Sequence, residues 1–134
     1  MPRLISHCLA LLAAIAVSVA ASAAANLAPQ SSSQAGVTVK VTPRNLNAAT
    51  WEFEVVFDTH SQDLNDDLLK NAVLVVDGGA ALAPTGWQGD SPGGHHRKGV
   101  LRFKAPAASA PASLEMRLTR AGESAPRIFR WSMR

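Results

Sequence analysis

Apolar side chains at every second position over residues 51–57 (WEFEVVF) constrain the fold more than any other feature of this chain. The apolar residues Trp51, Phe53, Val55 and Phe57 occupy every second position. Successive side chains of a β-strand point to opposite faces, so all four share one face of an extended segment. The run therefore predicts a strand with one face on a core and the other toward solvent.

Comparable short runs recur along the chain, with turn residues between them. They occupy residues 37–42, 72–76, 99–103, 113–119 and 127–133, and the Asp77-Gly78 turn predicts a further short strand between Ala80 and Pro84. Acidic residues early and a base late predict a helical turn or two within residues 61–71. No longer helical pattern is present. About seven short strands favour an all-β fold, an antiparallel immunoglobulin-like β-sandwich, with a small β-barrel as the alternative. We expect its core to contain Trp51, Phe53, Phe57, Phe103, Met116 and Trp131.

The first 25 residues have the pattern of a secretory signal peptide. Arg3 precedes an apolar run, Cys8–Ala20, and the small residues that follow allow cleavage after Ala23 or Ala25. The sole cysteine, Cys8, lies inside this segment. The mature chain would then form no disulfide, which is typical of a periplasmic or secreted bacterial domain rather than a cysteine-rich scaffold.

The remaining chain divides into a lead and one domain. Residues 26–36 are small and polar without periodicity, which predicts a flexible linker, and residues 37–134 would form the β-sandwich domain. A mature chain of about 110 residues suffices for a single core. It carries no second apolar segment, so we expect no membrane span after processing.

Charge gives little indication of a partner. Loss of Arg3 with the signal peptide lowers the formal net charge from +3 to +2. Near balance and export together argue against a nucleic-acid partner. Basic residues gather late in the chain, and we expect them on a solvated strand face opposite the core. They are Arg97, Lys98, Arg102, Lys104, Arg117, Arg120, Arg127, Arg130 and Arg134.

The segment from Trp87 to Gly99 is the candidate functional loop. It places His95 and His96 directly after Gly93 and Gly94, which let the backbone leave the extended state so that adjacent side chains converge. Trp87 would be an exposed aromatic side chain in this loop.

The histidines of this loop suggest a metal site. Neutral imidazole is a good ligand for copper or zinc. His60 and Asp58, at the end of the 51–57 strand, would complete the set of His95, His96, His60 and Asp58 if they lie at the same end of the fold.

Other chemistries fit less well. The acidic run from Asp63 lacks the glycine and glutamate positions of a calcium loop, and neither Ser61 nor Ser91 lies in a nucleophile elbow. The sequence therefore predicts an exported, non-enzymatic binding domain that holds copper or zinc. The alternative is a protein-interaction module, without metal, whose loop and basic face contact a partner.

Overall fold

A computed structural model describes residues 27–107 and 110–133. The predicted signal peptide lies outside these ranges. The described chain contains nine strands and one helical turn. The strands are β1 (Gln30–Gln34), β2 (Val37–Asn45), β3 (Thr50–Thr59), β4 (Ala72–Val76), β5 (Ala81–Leu82), β6 (Gly86–Gly89), β7 (His96–Lys104), β8 (Ser113–Leu118) and β9 (Arg127–Ser132), and the helix is α1 (Leu68–Asn71).

The strands form two antiparallel sheets, which confirms the all-β prediction. The first sheet has the order β1-β2-β3-β7-β6 and the second the order β5-β4-β8-β9. Every pairing between neighbouring strands is antiparallel. The short strand expected after the Asp77-Gly78 turn is β5.

A single core receives buried side chains from both sheets. Phe53 of β3 lies edge-on to Phe103 of β7, with ring centroids 5.7 Å apart, and 5.8 Å from the ring of Trp131 on β9. Trp51, Phe53, Phe57, Phe103, Met116 and Trp131 are all buried, as predicted. Alternation identified them because one face of each strand meets the facing sheet.

β1 lies inside the segment that composition predicts as a flexible linker. Residues 30–34 pair in register with β2, from Gln30 opposite Val41 to Gln34 opposite Val37. Backbone hydrogen bonds hold this edge strand, so it needs no apolar side chains, and its serine-rich composition gives no strand signal.

The segment between β3 and β4 contains the expected helical turn only at its end. Asp67 caps α1, where its carboxylate accepts a hydrogen bond from the Lys70 backbone N–H at 3.3 Å. Leu68 is buried in the core, whereas Leu69 is exposed. Within the described residues, no helix has the length and apolar character needed to cross a bilayer.

Candidate functional site

The predicted ligands lie at one end of the first sheet. Asp58 on β3 is directly opposite His96 on β7, and the Thr59 backbone N–H donates to the His95 carbonyl at 2.9 Å. His60 follows the last residue of β3. The end of β3 and the start of β7 therefore lie at the same end of the fold, which is the condition for bringing the four predicted ligands together.

The connecting loop is shorter than predicted, because β6 ends at Gly89 and β7 begins at His96. Gly93 and Gly94 have φ angles of 114° and 71°, in the region that glycine tolerates. The Gly93 N–H donates to the Leu64 carbonyl at 2.9 Å, and the Leu64 N–H donates to the Gly94 carbonyl at 3.0 Å. These bonds fix the loop against the segment that follows β3.

Asp58 and His96 are bound to each other. The His96 Nδ1 atom lies 2.5 Å from Asp58 Oδ1, and both side chains are more than half exposed. A carboxylate only accepts, so Nδ1–H donates and Nε2 is left for another contact. In the described residues no three His, Cys, Asp or Glu side chains are grouped to hold a metal ion. The structure thus joins Asp58 to His96 and does not gather His60 and His95 into a three-ligand group with them.

The Asp58–His96 pair also continues a row of ion pairs on the outer face of the first sheet. Glu54 contacts Arg44 at 2.9 Å and Lys98 at 3.4 Å. Partial burial raises the pKa of the Glu54 carboxyl, but these two cations outweigh it and hold the pKa below its ordinary value. Glu52 pairs with Arg102 at 3.0 Å. Ion pairs at the surface, where at least one partner stays in contact with water, contribute little stability individually.

A second feature lies beside the loop, between α1 and β6. It is an open cavity of about 430 Å³, here called the β6 groove. Its lining residues are Asn65, Asp66, Asp67, Leu68, Leu69, Trp87, Pro92 and Arg97. Leu69 is 47% exposed, the highest value among the large apolar side chains that the structure describes as exposed. A volume of this size can receive an amino-acid side chain or a small ligand.

Trp87 forms one wall of the β6 groove. It lies on β6 opposite Leu101, half-buried against the core, and its indole N–H donates to the Asp90 carbonyl at 3.1 Å. Its ring covers Gly99, where an added Cβ would overlap it. The prediction of an exposed loop aromatic is therefore corrected: Trp87 is a strand residue with one side open to the groove.

Arg97 also lines this groove and is only 3% exposed. Its Nη1 atom donates to the Asp66 carbonyl at 2.6 Å and its Nε atom to the Asp90 carbonyl at 3.2 Å. The guanidinium carbon lies 5.2 Å from the centroid of the Trp87 ring. No ion pair joins Arg97 to a carboxylate of the described residues.

Two other arginines are buried with acidic partners. Asp66 accepts from Arg120 at 2.9 and 3.1 Å, and Glu123 accepts from Arg127 at 2.7 Å. The hydrogen bond from Arg127 lowers the pKa of the Glu123 carboxyl against the opposing effect of burial. The expectation that the late basic residues are solvated is wrong for Arg97, Arg120 and Arg127, which are buried and donate to backbone carbonyls or carboxylates inside the fold.

β6 is an edge strand of the first sheet. Gln88 pairs with Val100, and the Asp90 N–H continues the ladder to the Lys98 carbonyl at 2.9 Å. In an antiparallel ladder alternate residues turn their backbone groups away from the partner strand. Those of Trp87 and Gly89 therefore face outward beside the groove.

Comparison with known proteins gives no match for this chain: no protein-family model, curated protein or solved structure matches it. Sequence reasoning missed Leu69 and Arg97 as site residues. One signal was present for Arg97: it lies an even number of positions from the core residues Leu101 and Phe103 on β7, so its side chain points to the same face.

Proposed function

We propose that this chain is an exported, non-enzymatic protein-interaction domain that binds an extended segment of a partner along β6. One apolar side chain of that segment would enter the β6 groove between Leu69 and Trp87. The observation that carries the proposal is a groove with Leu69 and Trp87 in its lining, directly beside an edge strand with outward-facing backbone groups.

The strand order supports an immunoglobulin-like sandwich as the framework. The order β2-β3-β7-β6 matches the A-B-E-D sheet of that fold, and β4-β8-β9 matches its C-F-G sheet. β5 then takes the place of the additional strand beside C, and β1 is an extra strand beside A.

Strand addition suits this edge physically. An added strand gains main-chain hydrogen bonds, and pockets for alternate side chains supply specificity. Leu69 and Trp87 offer apolar area that water covers in the free domain, so burial of a partner side chain there is favourable. Pro92, another lining residue of the groove, directly precedes Gly93 and Gly94, whose backbone hydrogen bonds to Leu64 fix the loop.

Selection from a random peptide library on the purified domain tests the proposal. Selected peptides should bind Leu69→Gln roughly tenfold more weakly, because a central apolar contact is worth more than about 1 kcal/mol. Ile128→Gln is the matched control, since Ile128 is 37% exposed on the other sheet. N-methylation of alternate peptide backbone nitrogens should also weaken binding. Peptides indifferent to both changes would contradict the proposal.

Copper or zinc binding is the second candidate, favoured by the Asp58–His96 hydrogen bond. A histidine that ligates a metal usually donates its other ring N–H to a carboxylate, which fixes the ring and its tautomer. Asp58 would thus orient His96 rather than ligate, and Nε2 of His96 would bind the ion with His95 or His60.

Calorimetry with copper(II) and zinc(II) separates the metal candidate from the first. His96→Ala should weaken binding at least about tenfold, as expected for loss of a ligand or its support. Asp63→Ala is the control, because Asp63 lies in the acidic run outside the set. Binding should weaken as pH falls through about 6.5, where free imidazole protonates. Equal weak binding by all variants would remove the metal candidate and leave the peptide result unaffected.

A further inference from the structure

Arg97 differs from the other buried cations of the described residues in lacking an acidic partner. Arg120 and Arg127 are each within hydrogen-bond distance of a carboxylate. Arg97 has only two backbone carbonyls and the Trp87 ring. Buried charges are normally paired because an unpaired charge loses its hydration without compensation. An anion that entered the groove would supply the acidic partner that Arg97 lacks.

The guanidinium also has donors to spare. It carries five N–H groups, and the bonds to Asp66 and Asp90 use the Nη1 and Nε atoms. Nη2 makes no hydrogen bond within the described residues. Every enclosed side-chain nitrogen or oxygen there has a partner, so Nη2 must retain contact with solvent. Arg97 lines the β6 groove, which is the route by which a ligand would reach it.

We propose that Arg97 receives the C-terminal carboxylate of the extended partner segment, whose last side chain is apolar and fills the β6 groove. This inference rests on the proposed function and names the chemistry of its ligand. A carboxylate is planar and carries one charge, which matches a single guanidinium.

The surroundings favour this ligand over other anions. Leu68, Leu69, Trp87 and Pro92 supply the apolar part of the lining, and Asn65, Asp66 and Asp67 supply the polar part. Asp66 is already paired with Arg120 and Asp67 caps α1, but two carboxylates so near favour an anion of one charge over a phosphate with its second charge and larger hydration shell. The Trp87 ring lies against the guanidinium and limits the directions from which a ligand can approach it. The outward backbone groups of Trp87 and Gly89 pair the residues preceding the terminal carboxylate. A free small acid has no peptide backbone and would form no hydrogen bonds with these groups of β6.

Two matched peptide pools test the inference. Acetylated random hexapeptides ending in Leu, Val or Phe are prepared once as free acids and once as C-terminal amides. Binding is followed by titration of the labelled domain, observing the Trp87 indole N–H and the Arg97 Nε–H signals. The free acids should bind at least about tenfold more tightly than the amides, since hydrogen bonds between charged groups exceed neutral ones by this order.

A variant pair assigns the difference to Arg97. In Arg97→Met the advantage of the acids should vanish, whereas in Arg102→Met, which removes a half-buried cation of the outer face, it should persist. If Arg97→Met does not fold, acids and amides are compared on the unaltered domain and on Arg97→Lys. This comparison still tests the role of Arg97, because lysine keeps the positive charge but lacks the paired N–H donors of a guanidinium. Lysine should retain only part of the advantage.

The outcomes separate this inference from the proposed function. Equal binding of acids and amides, with binding still lost in Leu69→Gln, overturns the carboxylate site and leaves the peptide function intact. Hexanoate or acetyl-leucine binding as tightly as the peptides overturns the C-terminal segment as occupant. Failure of both pools and of library selection overturns both proposals.

Discussion

Two buried arginines lie at opposite edges of the first sheet and differ in their partners. The difference distinguishes an arginine that stabilises the fold from one that is available to bind a ligand. Arg127 donates to Glu123 and to the carbonyls of Ser32, Gln34 and Val37. All three of its nitrogens are engaged, so the residue joins β9 to the β1–β2 hairpin with no donor direction left open.

Arg97, beside β6 at the other edge, is equally buried and also binds backbone carbonyls. It has no carboxylate partner in the described residues, and a groove opens over it. Burial of an arginine alone thus says nothing about its role; the role follows from whether its charge is compensated inside the fold.

The largest expected effect tests the β1–β2 edge, which Arg127 joins to β9 and which is here called the closed edge. Arg127→Met should lower the free energy of unfolding by about 3–5 kcal/mol, because the buried Glu123 carboxylate loses its closest partner and keeps only Arg120 at 3.8 Å and Gln34 at 3.2 Å. Three backbone carbonyls also lose their donor. Denaturant titration measures it. Arg130→Met, at a side chain 73% exposed, is the control and should change stability by less than about 0.5 kcal/mol. A similar small loss at both positions would mean that the buried pair is not coupled to folding.

The next effect tests the packing of Trp87, which lines the groove at the β6 edge, here called the open edge. Gly99→Ala should cost roughly 1–3 kcal/mol by overpacking, since the new Cβ overlaps the Trp87 ring and lies 2.8 Å from the Gln88 carbonyl oxygen. Gly86→Ala on the neighbouring strand meets no atom within 4 Å and is the matched control. Thermal or denaturant unfolding compares the two, and equal stability of both variants would show that the ring moves freely.

Arg97→Met should cost less than Arg127→Met, about 1–2 kcal/mol, because no buried carboxylate loses its partner and an uncompensated charge is removed together with two carbonyl contacts. The same unfolding experiment measures it. A loss as large as that of Arg127→Met would indicate an unrecognised structural partner and would weaken the carboxylate proposal.

Much of the fold was predictable because each strand facing the core keeps a period of two. Burial alternates residue by residue in β3, β8 and β9, and their aromatic side chains and leucines lie on the buried face, where the sequence pattern places them. β1 was not predictable, because its pairing depends on backbone bonds and on Arg127, which is distant in sequence.

The site was predictable only in part. Local sequence indicated the glycine turn and placed Asp58 near His96 once strand order was assumed. The parity of Arg97 with Leu101, and of Arg127 with Phe129, also pointed inward, but burial of a charge depends on remote partners that a sequence pattern does not contain. The groove likewise requires α1 to lie against β6.

Acid should weaken the closed edge more than the open one. Arg127 lowers the pKa of the Glu123 carboxyl, so its stabilising contribution is complete above the ordinary glutamate pKa of about 4.3 and is lost as pH falls toward the lower pKa of the folded protein. Stability measured between pH 6 and pH 3 should therefore fall less steeply in Glu123→Gln. An unchanged slope would place the acid sensitivity elsewhere. The change is smaller than loss of Arg127, because protonation leaves neutral hydrogen bonds in place.

The smallest effect is expected at the exposed Asp58–His96 pair, which joins β3 to β7 between the two edges. Its loss measures how much an exposed pair contributes to stability, for comparison with the two buried arginines. His96→Ala should change the free energy of unfolding by less than about 0.5 kcal/mol, since both side chains are more than half exposed and water replaces their contact. Denaturant unfolding at neutral pH, with Lys98→Ala as a neighbouring control, measures it. A loss above about 1 kcal/mol would mean that the pair holds the start of β7 in place, and His96 would then resemble Arg127. A negligible loss leaves the ring of His96 available for a ligand at little structural cost, as we infer for the guanidinium of Arg97.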